Sequence, residues 1–325
     1  MSDASDAPLA LPAFPDLLDA AARIRPHVGA TPVLRADALD ELAGAELHFK
    51  CENLQRVGAF KFRGACNAVF ALDEATAARG VATQSSGNHG AAIALACRLR
   101  GIAATVVVPE GAPAIKLDAI AAEGARIVRC APNMRARDAA VAQVVEDTGA
   151  TLIHPFDHPD VIAGQGTAAM ELLASDGRLD AFIAPVGGGG LLSGSGIACR
   201  ALSPDTEVWG AEPEAARDAF DSLAEGRLIT DRVPDTICDG LRGHLSPRTF
   251  ALIRRDADGL LLADEATIRE ALRLAWRHLK LVIEPSAAVA LAVVLAHPEH
   301  FRGKRVGLVL SGGNVDLAML PALLG

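Results

Sequence analysis

Four successive glycines, Gly187-Gly188-Gly189-Gly190, follow the apolar run Leu179–Val186 and precede the small-residue stretch Leu191–Ala198. Without Cβ atoms the backbone there can turn tightly and aim several amides at one anion. A helix starting at that point adds the positive end of its dipole. The pattern reads as a phosphate cradle. It is not a P-loop, since no GK[ST] follows, nor the GxGxxG turn of a first βαβ unit. A plain strand-to-helix turn is the alternative. A second segment, Gly58–Ala65, places Lys61 between Phe60 and Phe62. A lysine held in such surroundings loses hydration, which lowers its pKa and favours the nucleophilic amine; a surface lysine with its stem on the two rings is the bland counterpart. A third, Gln84–Gly90, offers Ser85, Ser86, Gly87, Asn88 and His89 at the start of a predicted helix. Amides and hydroxyls at that place bind a substrate carboxylate or simply cap the helix. The fourth, Leu310–Asn314, puts Ser311 and two glycines at the end of an apolar run, where open α/β sheets bind ligands.

These segments need elements to carry them. Short Val/Ile-rich runs at Ile102–Val108, Ala125–Cys130, Ala181–Val186, Glu207–Ala211 and Arg305–Leu310 alternate with helical stretches. The helices are predicted over Asn88–Arg100, Arg135–Thr148, Leu191–Leu202, Glu265–Leu279 and Ser286–Ala296. Such alternation means βαβ units and parallel sheets. The expected division is a large cofactor-binding unit, 1–80 with 156–325, and a small inserted unit, 81–155.

The 325 residues are 50% hydrophobic and 22% charged, with a net charge of −9. This is an ordinary globular composition. No basic run stands out, so neither nucleic acid nor an anionic membrane is an expected partner. The N-terminus lacks the basic start and apolar run of a signal peptide, and no stretch reaches membrane-spanning length. A cytoplasmic location follows as the expectation. The six cysteines form no CxxC pair and read as reduced, buried side chains.

Taken in order, AFKFRGA, SSGNHG, VIAGQGT (Val161–Thr167), GGGG, AEP (Ala211–Pro213), ICDG (Ile237–Gly240), IEPSAAV (Ile283–Val289) and SGGNVD resemble the fold type II pyridoxal-phosphate enzymes. The resemblance is to the serine racemase, serine/threonine dehydratase and hydroxyaspartate dehydratase family, and it runs along most of the chain. It implies an α/β fold with two open parallel-rich sheets, similar to the tryptophan synthase β chain, with the cofactor in the cleft between units. It also implies that Lys61 holds pyridoxal 5′-phosphate as an imine, and that Gly187, Gly188, Gly189, Gly190 and the Leu191 amide bind its phosphate. Asn88 would then bond the ring hydroxyl and Ser311 the ring nitrogen, with Phe60 and Glu284 alongside.

By the same resemblance Ser86 stands where racemases carry an acid/base serine for the second face. Glu212, the Ala216 carbonyl and Asp218 correspond to a site for Mg²⁺ or Ca²⁺, all hard oxygen ligands; an acidic helix start is the other reading. Arg137 matches an arginine able to pair a second carboxylate, or is a solvated helix charge. Ala59, Ala91, Phe156, Gly243 and Arg248 depart from the racemase pattern. No regulatory domain is expected after SGGNVD. The implied function is a homodimeric ammonia-lyase converting L-serine, L-threonine or 3-hydroxyaspartate to a 2-oxo acid and ammonia, with racemisation as an added or a main activity. Two further readings are β-replacement, against which the EPxxAxD segment speaks, and a non-catalytic nucleotide-binding protein.

Overall fold

A computed structural model describes residues 9–85, 87–112 and 114–324, with residue 115 as backbone only. One sheet is built from β1 (Val33–Leu34), β2 (Glu46–Lys50), β7 (Ala181–Pro185), β8 (Glu207–Pro213), β9 (Gly259–Ala263) and β10 (Arg305–Val309). Its spatial order is β1-β2-β10-β7-β8-β9, and only β1 is antiparallel to its neighbour. The other sheet comprises β3 (Val81–Gln84), β4 (Ala104–Pro109), β5 (Arg126–Cys130) and β6 (Thr151–Leu152), ordered β5-β4-β3-β6 and parallel throughout. The α/β architecture with two parallel-rich sheets is thus the one expected.

The buried strands are those the hydropathy pattern exposes. Every residue of β7 is buried, as a strand covered by helices on both faces requires. The helix Pro285–Ala296 has no polar stripe, and all its residues from Pro285 to Val294 are buried. Among the elements that escape the sequence reading are β2, β9 and the long helix Pro159–Asp176. The helix expected over Glu265–Leu279 is α-helical to Leu274 and then widens to a π turn over Ala275–Leu279, closed by Lys280 at φ 59°.

Each sheet reverses its winding once. The chain steps outward from β3 to β4 to β5, then returns to lay β6 on the other side of β3. It likewise steps from β7 to β8 to β9 and returns to insert β10 between β7 and β2. Ligands of open α/β sheets bind outside the carboxyl ends of strands at such reversals. Those ends carry Gln84-Ser85, His154-Pro155, the glycine run and Ser311. Helix packing completes the placement. The helices Lys61–Ala71, Pro159–Asp176 and Gly190–Leu202 meet backbone to backbone. A Cβ on Gly64 would lie 2.5 Å from the Val161 carbonyl, and one on Gly194 2.6 Å from the Gly166 amide. Close packing at these glycines brings the helix starts at Lys61 and Gly190 to one cavity.

Candidate active site

The two reversals face a cavity of about 1000 Å³. Its floor is the turn from β7 into the helix Gly190–Leu202, whose N-cap Gly189 sits at φ +83° with no side chain capping the helix. Among the described residues no turn, cap or side-chain hydrogen bond uses the amides of Gly187 to Leu191. The loop is also packed from outside. A Cβ on Gly188 would lie 2.2 Å from the Phe156 ring, and one on Gly189 2.7 Å from Leu245. Glycine is therefore required by close approach and by φ, and the amides stay free for an anion.

Lys61 opens its helix, and its Nζ donates to the Pro155 carbonyl at 3.0 Å. The Phe60 ring lies 5.1 Å from the amine, whereas Phe62 turns away into the core. So one aromatic, not two, forms the lysine's surroundings. Burial lowers the amine from its ordinary 10.5 to about 8, opposed by the Glu284 carboxylate. Glu284, at the start of the helix Pro285–Ala296, is 5% exposed. Burial, reinforced by the Asp239 charge, raises its carboxyl from 4.5 to about 7. Asn88 Nδ2 donates to Glu284 at 3.0 Å, and Asn88 Oδ1 accepts from Asn314 at 2.9 Å. Both ends of the Asn88 amide are thus already engaged.

Ser311 lies two residues past the end of β10, is 4% exposed, and its hydroxyl has no protein partner among the described residues. Ser85, Gly87, Asn88 and His89 border the same cavity; Ser86 lies outside the described residues. The Ser85 hydroxyl accepts from the Gly87 amide at 3.3 Å. His89 is buried, with Nε2 3.4 Å from the Ile153 carbonyl. Burial and the nearby Lys61 charge hold its ring well below the usual histidine range, so it is neutral. Arg137 reaches the cavity from the helix Met134–Thr148 and pairs with no carboxylate among the described residues.

The trio Glu212, Ala216 and Asp218 lies apart from this cavity, where β8 turns into the helix Asp218–Glu225. Glu212 accepts from the Ala219 and Phe220 amides at 3.0 and 2.8 Å. Asp218 is 2% exposed and its Oδ2 has no partner among the described residues. Among the described residues no three His, Cys, Asp or Glu side chains converge as a metal group. A cation here would rely on two carboxylates, one carbonyl and water.

Of the irregular stretch from Arg232 to Ser246, sequence reasoning singled out only the ICDG motif and Gly243; it missed Arg232, Val233 and Pro234, which line the cavity from a segment with no period to detect. Within it Asp239 pairs with Lys116 from the other sheet's side. It also missed the Pro155 carbonyl, since a backbone acceptor leaves no trace in residue type. The cofactor that the sequence resemblance implies fits what is present. The glycine amides suit a phosphate, the desolvated Lys61 amine an aldehyde, and the unpartnered Ser311 hydroxyl a ring nitrogen.

Comparison with known proteins bears on the same residues. A family profile described as pyridoxal-phosphate dependent enzyme matches residues 24–312. The chain is 48% identical over 311 residues to the beta-hydroxyaspartate dehydratase of Paracoccus denitrificans, covering 96% of this chain and 99% of that one. It is 46% identical over 323 residues to a serine racemase of Dictyostelium discoideum, covering 98% and 99%. Its fold superposes on maize serine racemase with a TM-score of 0.93 at 39% identity, over 96% and 97% of the two chains. The chain belongs to the pyridoxal-phosphate-dependent enzymes, in the fold type II branch that these relatives share.

Proposed function

We propose that this enzyme is an ammonia-lyase that removes water from a β-hydroxy amino acid bearing a second carboxylate, of the 3-hydroxyaspartate type. The products are a 2-oxo acid and ammonia. Arg137 carries the choice of substrate: its guanidinium borders the cavity without a carboxylate partner among the described residues. A guanidinium in that position matches a carboxylate bidentately. The name of the Paracoccus relative supports the same reading.

When bound, pyridoxal phosphate supplies the electron sink that acidifies the α-hydrogen of an attached amino acid. In this proposal Lys61 holds it, Gly187 to Gly190 and the Leu191 amide take its phosphate, and Phe60, Asn88, Glu284 and Ser311 border its ring. Ser85, Ser86, Gly87, Asn88 and His89 receive the α-carboxylate. With the cofactor bound, the Lys61 amine would be the group that accepts the α-proton. A pKa of about 8 leaves roughly one such amine in ten neutral at pH 7, against about one in three thousand at the ordinary value. Loss of water across Cα and Cβ and hydrolytic release of ammonia complete the reaction. Ser86 is assigned to the opposite face, where a proton relay would add racemisation.

The proposal extends to a divalent cation, Mg²⁺ or Ca²⁺, at Glu212, Ala216 and Asp218. The unpartnered Asp218 Oδ2 supports it. It treats 81–155 as a small unit inserted between 1–80 and 156–325, a division supported by the four-stranded sheet lying wholly within 81–152. A cytoplasmic homodimer acting on a small amino acid belongs to the same reading. Among the described residues no helix is long and apolar enough to cross a membrane.

The test is 2-oxo acid release from L-threo-3-hydroxyaspartate, L-serine, L-threonine and D-serine, with Arg137→Ala beside the parent enzyme. Hydroxyaspartate should be preferred. The variant should raise its KM by roughly 10- to 100-fold, the worth of a charge-assisted hydrogen-bond pair, and leave serine almost unaffected. A preference for serine, with Arg137→Ala acting equally on all substrates, would remove the dicarboxylate reading. Serine racemisation faster than elimination would make the enzyme chiefly a racemase.

A further inference from the structure

Val57 stands in the left-handed region, at φ 56° and ψ 13°, directly followed by Gly58 at φ 69°. Glycine adopts that conformation readily. A β-branched residue does so only where its surroundings impose it, and such outliers gather at functional sites. Val57 is four residues before Lys61. What imposes the conformation is the loop after β10. Asn314 Nδ2 donates to the Val57 carbonyl at 2.6 Å, and the Gly313 amide donates to the Gly58 carbonyl at 2.9 Å. The Phe60 amide donates to the Ser311 carbonyl at 3.0 Å, and Ala59 bridges to Gly312. The fit at Gly58 is tight, for a Cβ there would lie 2.5 Å from Asn314 Oδ1. Two strand-like threads therefore run side by side, residue 57 to 60 against residue 311 to 314.

We propose that this grip is a register clamp, with Asn314 as its positioning residue and the strained Val57 turn as the part it holds. The clamp sets Lys61 relative to Ser311. In the proposed reading both side chains would serve one cofactor, so the fold would have to set their separation. A valine in this turn makes the turn dependent on Asn314. Remove the side-chain amide, and the chain regains its incentive to return to negative φ, carrying Ala59, Phe60 and the start of the lysine helix with it. The inference rests on Lys61 as the cofactor lysine.

A double-mutant cycle on the holoenzyme tests it, because glycine at position 57 holds the left-handed conformation without help. Asn314→Ala should lower kcat by about tenfold, a modest form of the loss that a misplacement near one ångström causes. It should also shift the visible cofactor absorbance and its pH titration, which report the surroundings of the Lys61 amine. Adding Val57→Gly should recover most of both changes, while Val57→Gly alone should melt no lower than the parent. If Asn314→Ala fails to fold, the double variant must fold and carry cofactor. Additive losses, an unshifted absorbance in Asn314→Ala, or a double variant that stays unfolded would each overturn the clamp. Borohydride reduction and peptide mapping of the parent separate the two ideas: a tag on a lysine other than Lys61 removes the underlying assignment, and a tag on Lys61 leaves the clamp to be judged by the cycle alone.

Discussion

Glu284 and Lys61 border one cavity and depart from their solution behaviour in opposite directions. The amine is lowered to about 8 and the carboxyl raised to about 7, each chiefly because burial penalises the charged form. The carboxyl allows a test by pH. Its folded value lies above the unfolded 4.5, so the folded state binds the proton more tightly between these values. The stability Glu284 contributes is fully present below pH 4.5 and is lost as pH rises through about 7. Glu284→Gln in cofactor-free protein should therefore gain on the parent as pH rises from 4.5 to 8, by at most roughly 3 kcal/mol. Thermal melts that stay parallel over that range would show that the fold does not penalise the Glu284 carboxylate. At this scale the sequence was informative where residue types are unusual in combination. A glycine quartet after an apolar run and a lysine among aromatics and glycines both reached the cavity. Phe156 against the glycine turn and the pairing of Asn88 with Glu284 were not legible, because they join residues far apart in the chain.

The helix that starts at Lys61 is anchored by charge as well as by glycine contacts. Arg63, fully buried, donates to both oxygens of Glu52 at 2.8 Å and to both of Glu171 at 2.7 Å. Lys50 on β2 joins through Glu171 at 2.7 Å and the Thr31 carbonyl at 2.8 Å. These links tie the lysine helix to β2 and to the helix Pro159–Asp176. Cutting one partner from a buried pair strands the other charge, so Arg63→Met should cost about 3–5 kcal/mol. The midpoint of urea unfolding should fall with its slope unchanged. A loss below about 1 kcal/mol would mean that the Arg63–Glu52 pair contributes little to the fold. The same network explains why β2 escaped the sequence reading. Its residues Glu46, His48 and Lys50 look polar, yet His48 and Lys50 are each 2% exposed. His48 sits between Glu46 and Asp176, and Lys50 against Glu171. Hydropathy registers charge but not its pairing. The strands built of Val, Ile, Ala and Leu carried their burial openly.

At the scale of the molecule, two winding reversals place four loops from two sheets around one cavity. Alternating strands and helices announced parallel sheets. The strand order, which decides where the reversals fall, has no local signal. The acidic corner at the end of β8 shows a second consequence of the fold. It buries two carboxylates, 1% and 2% exposed, near enough to feel each other's charge, with one oxygen of Asp218 lacking a partner among the described residues. Backbone amides answer for Glu212, and Asp218 is left with less. A bound divalent cation would supply the missing partner and, by binding only the folded chain, stabilise it. At a hundredfold excess over Kd this amounts to about 2.7 kcal/mol, or roughly 4 °C in Tm for a chain of this size. Chelation should therefore lower the melting temperature of the parent, and added Mg²⁺ or Ca²⁺ should restore it. Asp218→Asn removes the charge with little change of shape. It should melt at one temperature with or without the cation, and above the chelated parent because no uncompensated carboxylate remains. The site lies outside the cavity, so the variant should keep Lys61 and its cofactor absorbance while losing cation-dependent stability. If chelation does not move the parent and Asp218→Asn still melts higher, the corner is a pair of carboxyls sharing a proton, and the cation assignment falls.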